Sequence, residues 1–304
     1  MTYAKGILLK LLNIALFTAI SILSARVGRD LHKLQLFWMI CAFAIIVVSI
    51  PMLLFNKQQL FALNCKSFLG FALRSLCNVL GMWAWLEAIS HIGANTSSAI
   101  SYMTPIFTTV LAVLLLKEKL ATSCLLAIMT SFVGLCVVLQ PSSLDMLSYG
   151  GMMGLFSCLM WAVHDIVCKK QTFKEQHFIQ AWYVFLFSMI ISTPSMLLLW
   201  QPISSYEVSI IALIGAIAAA NVVVIFLAYK AAPITVLMPF SYCKFIFMAI
   251  AAYIFLDENI MANTIAGALI IASSSAYIFY NQSKMQQLER VTNRKNFAKT
   301  LASK

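Results

Sequence analysis

The residues that could carry chemistry are polar side chains set within long apolar stretches. Arg74, Asn78, Gly81 and Trp85 are spaced by four, three and four positions, so on a helix they fall on one face. This stripe combines a fixed cation, an amide, a small residue and a large aromatic ring. It suits an anionic or planar small molecule, although Arg74 could instead reach a membrane surface while Asn78 bonds a neighbouring helix.

A second set of candidates lies on two later helical faces. Its members are Ser98, Tyr102, Pro105 and Thr109 on the first face, and Ser241, Tyr242, Lys244 and Met248 on the second. Pro105 has no backbone N–H, so it leaves a carbonyl free near the middle of its stretch. Lys244 lies too deep to reach the membrane surface easily, so it needs a carboxylate partner, a water-filled cavity or loss of its proton. A substrate contact and a structural ion pair are both open for Lys244.

A third set lies on one helical stretch in the second half of the chain. Trp161, Asp165 and Lys169 follow each other at intervals of four, and His164 stands beside them. Asp165 or His164 could couple proton movement to function, or Asp165 and Lys169 could form an internal ion pair. In the first half, Glu87 and His91 are also four apart; they could form an outer gate, or simply occupy a helix end at the membrane interface.

Metal and cofactor chemistry are not indicated. The eight cysteines form no C-x-x-C pair, and seven of them lie inside apolar stretches, where they are expected to be small apolar filling; Cys65 is at the edge of a loop. The motifs H-E-x-x-H and G-x-S-x-G do not occur in the apolar stretches. We therefore expect no metal, no cofactor and no enzymatic activity.

The elements that position these residues are long hydrophobic helices. Of 304 residues, 62% are hydrophobic and 10% charged, against roughly 25% charged in soluble domains. A helix needs about 20 apolar residues to cross a membrane, and such stretches occur at 6–25, 34–55, 67–90, 95–116, 122–140, 148–168, 178–200, 207–230, 234–256 and 261–280. This predicts an all-α membrane protein with ten transmembrane helices. Aromatic residues near span ends, including Trp38 and Trp182, are expected to anchor the helices at the interface.

The distribution of basic residues predicts the orientation. A net charge of +11 would suggest nucleic acid for a soluble protein, but here Lys and Arg lie mainly in loops and in the tail. With a cytoplasmic N-terminus, 16 of them fall on the cytoplasmic side, Lys10 included, and three on the outer side. We therefore expect both termini in the cytoplasm, an inner-membrane location and no nucleic-acid partner. The basic tail is either solvated or in loose contact with anionic lipid.

Comparison of the chain with itself reveals a repeat. The segment 99–120 aligns without gaps on 239–260, with seven identities in 22 positions, among them Ser101/Ser241 and Tyr102/Tyr242. Because each copy holds five spans, an odd number, the second copy must be inverted in the membrane. The predicted organisation is a five-helix repeat over 1–140, a second over 141–282 and a cytoplasmic tail over 283–304.

The repeated motifs carry a family resemblance. The helix ends Leu116-Lys117-Glu118 and Leu256-Asp257-Glu258 resemble those of the EamA-type drug/metabolite transporter superfamily. Within it, the stretches Gly81 to Trp85, Asp165-Ile166 before Lys169-Lys170, and Pro239 to Tyr242 look like the S-adenosylmethionine uptake transporters of intracellular bacteria. The resemblance implies ten helices, a central cavity lined largely by helices 3, 4, 8 and 9, and alternating access by rocking of the repeats.

These observations predict a secondary transporter, a monomer or homodimer, that moves a small polar organic metabolite such as S-adenosylmethionine or an amino acid. The alternatives are a membrane-embedded enzyme and a passive channel. The residues expected to bind substrate or couple transport are Arg74, Asn78, Trp85, Tyr102, Trp161, Asp165, Tyr242 and Lys244.

Overall fold

The described part of the chain is helical and contains no strand. The computed structural model describes residues 3–27, 31–55, 65–139, 147–172, 176–198, 200–256 and 265–280. We number the helices in chain order: α1 Tyr3–Val27, α2 Lys33–Phe55, α3 Cys65–Ser101, α4 Thr104–Leu116, α5 Thr122–Leu139, α6 Tyr149–Gln171, α7 His177–Leu198, α8 Ser205–Ala231, α9 Ile234–Leu237, α10 Cys243–Leu256 and α11 Ile265–Tyr280. A 3₁₀ turn, Met238–Tyr242, joins α9 to α10.

Eight helical segments of the described chain are long and apolar enough to cross a membrane. Two further apolar helices, Thr122–Cys136 and Ile265–Tyr280, are shorter and lie at the fifth and tenth predicted spans. Large apolar side chains such as Leu8, Leu54 and Leu114 are exposed on the helix surfaces, as hydrocarbon solvent requires. The prediction of an all-α membrane protein is confirmed, while the number of ten crossings stays a prediction.

The fourth predicted span is not one continuous helix. Helix α3 runs through it after a kink at Gly93, whose φ of 77° and ψ of 164° suit glycine. The helix ends at Ser101, and Tyr102 and Met103 turn tightly by donating to carbonyls three residues back, at 3.3 and 2.8 Å. Helix α4 then begins with proline in its first turn, a position where the missing N–H costs no bond. The predicted fourth span is therefore present as Thr96–Leu116, with a tight turn at Tyr102 and Met103 inside it.

The ninth predicted span is interrupted at the corresponding place. Its 3₁₀ turn ends at Tyr242, the residue that aligns with Tyr102, and also carries a proline, Pro239, near its start. In the fourth span, Pro105 has no N–H to donate to the Ser101 carbonyl, which accepts instead from Thr104 Oγ1 at 2.7 Å. The two aligned segments thus share a break at equivalent positions.

Small residues let the longest helices approach closely. A Cβ atom on Gly6 of α1 would lie 2.6 Å from the Ala232 Cβ just after α8, and one on Gly215 of α8 would lie 2.5 Å from the Phe43 Cβ on α2. Helix α1 packs along α8, α3 along α6, and α2 against both α7 and α8. These contacts surround the interior polar residues with helices from both halves of the sequence.

Helices α2 and α7 are joined by two tryptophan hydrogen bonds. Trp38 Nε1 donates to Thr193 Oγ1 at 3.1 Å, and Trp182 Nε1 donates to Ser49 Oγ at 3.0 Å. The expectation that these two indoles serve as interfacial anchors is therefore incomplete, because their N–H groups tie one helix to another. Beside them, small buried residues of α2, α7 and α8, among them Ala44, Ala181 and Ala219, form a compact apolar cluster.

Candidate functional site

Arg74 on α3 is the centre of a buried polar network. Its side chain is 1% exposed, and it donates from Nε to His164 Nε2 on α6 at 3.1 Å and from Nη1 to Gln180 Oε1 on α7 at 3.0 Å. Gln180 is itself fully buried. Arg74 is thus held in the interior by two helices and does not reach towards the membrane surface.

The network continues from His164 to a carboxylate. His164 Nδ1 lies 3.3 Å from Asp165 Oδ1. Because a neutral imidazole that accepts at Nε2 carries its hydrogen on Nδ1, the partners assign His164 as the donor to Asp165. The Tyr229 hydroxyl on α8 and the Lys10 ammonium on α1 are also close enough to interact with the Asp165 carboxylate. The chain of contacts therefore connects α1, α3, α6, α7 and α8.

Lys10 and Lys169 lie in places that the sequence did not indicate. Lys10, assigned from sequence to the cytoplasmic charges, is 8% exposed and its ammonium lies 5.9 Å from the centre of the Tyr229 ring. Lys169, considered as an ion-pair partner of Asp165, instead donates to the carbonyl oxygens of Tyr229 and Ala232. Asp165 contacts its sequence neighbour His164, whereas Lys169, one turn further along α6, reaches the end of α8.

The stripe on α3 meets α6 along its whole length. Two turns along α3 from Arg74, Gly81 leaves room for the Trp161 indole because it has no side chain: a Cβ on Gly81 would lie 2.9 Å from Trp161 Nε1. Trp85 follows one turn later, with its ring centre 6.3 Å from that of Trp161. The structure thus places the stripe of Arg74 and Trp85 on α3 against that of Trp161 and Asp165 on α6, two stripes that spacing predicted only separately. Asn78 is half-buried on α3.

Lys244 is surrounded by aromatic rings. Its Nζ atom lies 4.2 Å from the centre of the Phe17 ring on α1 and 5.9 Å from that of Tyr102. Tyr102 is stacked on Tyr242, with ring centres 6.4 Å apart and planes 14° from parallel. The charge of Lys10 also acts on Lys244, so the tyrosine pair and the Arg74 network border one interior region.

Three buried hydrogen-bonding atoms in this region have no hydrogen-bond partner within the described part of the chain. Among the described residues, Trp85 Nε1, Gln180 Nε2 and Tyr242 Oη are buried and make no hydrogen bond within the chain. Buried polar groups are nearly always bonded in native proteins. These three atoms are therefore sites where a bound molecule or water would be received.

A carboxylate from the first repeat motif, Glu118, joins the end of α4 to the start of α9. Glu118, just after α4, accepts from the backbone N–H groups of Ile234 and Thr235 at 3.1 and 3.0 Å, and from the Thr235 hydroxyl at 3.1 Å. It therefore satisfies the open N–H groups at the start of α9. Lys169 is near enough for its charge to act on Glu118, so this end is crossed by several linked polar contacts.

Glu87 and His91 form a local contact at the other end of α3. His91 Nδ1 lies 3.9 Å from the Glu87 carboxylate and 2.9 Å from the Glu87 carbonyl oxygen, and both side chains are partly exposed. The predicted pairing is present, and the role of the pair as a gate stays a prediction. In the described ranges no group of three or more His, Cys, Asp or Glu residues could hold a metal ion.

Lys10, Gln180 and Tyr229 are site residues that sequence reasoning missed. Each lies on a different helix from the residues of α3 or α6 with which it interacts. Helical spacing relates residues of one helix only, so it could not assign these three to the site. The one available signal was the position of Lys10, the eighth residue of the first helix, which is too far inside for a loop charge. Gln180 and Tyr229 lie near span ends, where polar residues are ordinary.

The helical membrane fold and its charged interior define a multi-pass membrane protein. Comparison with known proteins shows which class of membrane protein it resembles. Residues 4–140 match the model of the EamA-like transporter family. The S-adenosylmethionine uptake transporter of Rickettsia prowazekii is 25% identical over 283 residues, covering 93% of this chain and 95% of the relative. A riboflavin transporter of Brucella anthropi is 25% identical over 249 residues, covering 78% and 85%. The resemblance to EamA-type transporters that the repeated motifs indicated is thus confirmed by the match over residues 4–140 and by these relatives.

A solved structure supports the fold alone. A protein of known crystal structure matches 93% of this chain and 99% of its own length with a TM-score of 0.78 and 12% identity. The relatives are named as transporters and not as enzymes, which agrees with the prediction from sequence of a multi-pass transporter of a small molecule.

Proposed function

We propose that the protein is a secondary transporter that moves a small polar organic metabolite across the cytoplasmic membrane by alternating access. The observation that carries this proposal is the buried network around Arg74, because charged groups inside a membrane protein are costly and usually line a substrate or ion pathway. It is bordered by aromatic rings and by unfilled hydrogen-bonding atoms. The proposed substrate-binding or coupling residues are those predicted from sequence, to which we add Lys10, Gln180 and Tyr229.

Two inverted five-helix repeats, 1–140 and 141–282, would place this network between two moving halves. Several contacts support such an arrangement. Tyr102 stacks on Tyr242, its partner in the sequence repeat, and the two tryptophan bonds between α2 and α7 run in opposite directions. The Ser131 hydroxyl meets the Ser274 hydroxyl at 2.5 Å, again one residue from each half. Contacts between equivalent residues are expected near a two-fold axis in the membrane plane.

Rocking of the halves would require the end contacts to open and close. The Glu118 contacts with the start of α9 hold α4, from the first half, to the second half. We propose that these contacts form the cytoplasmic closure, with both termini and the tail 283–304 on that side of the inner membrane. Release of Glu118 would then expose the interior network to the cytoplasm.

S-adenosylmethionine and amino acids are the first substrates to test, because the Rickettsia relative is named for the former and both combine an ammonium with a carboxylate. The purified protein is reconstituted in proteoliposomes, loaded with unlabelled compound and exposed to a trace of the labelled one. A transporter shows transient accumulation by counterflow that saturates with concentration. Leakage of the label without accumulation or saturation would instead indicate a passive channel.

A further inference from the structure

We infer that the interior site selects an organic anion, a small molecule whose carboxylate or phosphate groups give it a net negative charge. This rests on the proposed function, because it names the substrate class of that same site. The first observation is the balance of charge in the described interior, which holds three cationic side chains, Lys10, Arg74 and Lys244, and one carboxylate, Asp165. Lys169 and Glu118 offset each other at the end of the interior.

The positive excess is concentrated at Lys244. Arg74 is bonded through His164 towards Asp165, and Lys10 acts on the same carboxylate. Lys244 lies among aromatic ring faces, which attract a cation but do not neutralise its charge. Lys10 adds repulsion, since its charge acts on Lys244. Lys244 is only half-buried, but a cation that is partly removed from solvent without a counter-ion is still unfavourable, and an anionic ligand would supply the missing charge.

The unfilled hydrogen-bonding atoms point to the same ligand chemistry. Trp85 Nε1 and Gln180 Nε2 can only donate, and Tyr242 Oη can donate as well. Donors need acceptor oxygens, which carboxylates and phosphates provide. S-adenosylmethionine also carries a carboxylate, but its sulfonium and ammonium groups bring no acceptor and would add to the positive charge of the interior, so the inferred preference runs towards molecules of net negative charge.

The inference is tested with the full-length purified protein and a panel of defined charge. L-glutamate, succinate and adenosine monophosphate are compared with L-leucine, L-lysine and S-adenosylmethionine, both by stabilisation against thermal unfolding in detergent and by counterflow in proteoliposomes. We expect at least one anion to bind with about ten- to a hundredfold higher affinity than the cations, the range of a hydrogen bond to a charged group.

Variants at Lys244 provide the matched comparison. Lys244→Gln removes the charge and is expected to lose the anion preference, whereas Lys244→Arg keeps it. Lys230→Gln, at an exposed position at the end of α8, should leave the preference unchanged. If Lys244→Gln does not fold, the inference is decided by the unmodified protein alone, from whether it binds the anions of the panel more tightly than the other compounds.

The outcomes separate the two proposals. Counterflow that favours S-adenosylmethionine, L-lysine or L-leucine would overturn the inference and leave the transport function standing. Lys244-dependent binding of an anion without counterflow would support the anion site and overturn the transport function. A panel in which no compound binds or moves would contradict both.

Discussion

The Trp38 indole N–H on α2 donates to the Thr193 hydroxyl on α7 at 3.1 Å, and a bond of the same kind runs back from α7 to α2. In that second bond Trp182 donates to Ser49 at 3.0 Å. Trp182 follows Trp38 by 144 residues, and Thr193 follows Ser49 by the same 144. Donor and acceptor have therefore exchanged helices between the two bonds, the relationship that inverted repeats would produce where two equivalent helices cross.

The reciprocal bonds predict equal sensitivity of the two tryptophans. Trp38→Phe and Trp182→Phe each remove one interhelical hydrogen bond and keep an aromatic ring, so each is expected to cost about 1 kcal/mol of stability. The measurement is the apparent melting temperature of each variant in detergent. We expect the two decreases to agree closely, since each bond joins an indole to a hydroxyl at nearly the same distance.

Trp83→Phe is the control, because Trp83 is 42% exposed on the outer surface of α3. It should melt close to the unmodified protein. A large decrease for Trp38→Phe with none for Trp182→Phe would contradict the equivalence of the two bonds.

The sequence predicted the helices better than their interruptions. Span positions follow from apolar length, which hydrocarbon solvent imposes directly. The break at Tyr102 depends on two backbone hydrogen bonds of a tight turn and on the position of Pro105 in the first turn of α4. Hydropathy measures only how apolar a segment is, so it does not report either feature. The roles of Trp38 and Trp182 were missed for a related reason, since an indole near a span end looks the same whether it meets lipid or a neighbouring hydroxyl.

The candidate site was predictable only within single helices. Spacing placed Arg74 and Trp85 on one face and Trp161 and Asp165 on another, and these two faces do meet. Gln180, by contrast, reaches Arg74 from a helix 106 positions away. Contacts of this range depend on how helices pack, and a single sequence carries no direct signal for it.

Replacement of Arg74 tests the buried network. Arg74→Met keeps much of the side-chain volume but leaves His164 Nε2 and Gln180 Oε1 without their donor, a loss of about 1–3 kcal/mol for each unsatisfied group. We expect a lower melting temperature and loss of counterflow. Arg26→Met, at an exposed position near the end of α1, serves as the control and should retain both. Unimpaired counterflow in Arg74→Met would remove Arg74 from the proposed site.

Gly81 sets the position of the Trp161 indole. In Gly81→Ala the new Cβ would lie 2.9 Å from Trp161 Nε1 and 3.0 Å from Cδ1, so the ring must move from its place beside Trp85. We expect reduced substrate affinity in counterflow with normal membrane insertion. The double variant Gly81→Ala/Trp161→Phe replaces the indole by a smaller ring, and affinity should recover in part. A single variant with unchanged affinity would show that the position of Trp161 does not matter for binding.

Glu118 links the end of α4 to the start of α9, and graded removal of its bonds tests the closure. Glu118→Ala removes all three hydrogen bonds, Glu118→Gln keeps one acceptor oxygen, and Thr235→Val removes only the hydroxyl contact. Because the N–H groups of Ile234 and Thr235 would lose their acceptor, we expect the melting temperature to fall most in Glu118→Ala and least in Thr235→Val.

The same three variants should also slow counterflow in that order, since a closure that does not form cannot complete the transport cycle. Glu207→Ala is the matched control: Glu207 also caps a helix, the start of α8, but it does so through Ser204 at an exposed end. Its loss should leave counterflow unchanged. Equal slowing by Glu207→Ala and Glu118→Ala would reduce the Glu118 contacts to ordinary helix capping, whereas slowing confined to the Glu118 and Thr235 variants would support their role in closing the cytoplasmic end.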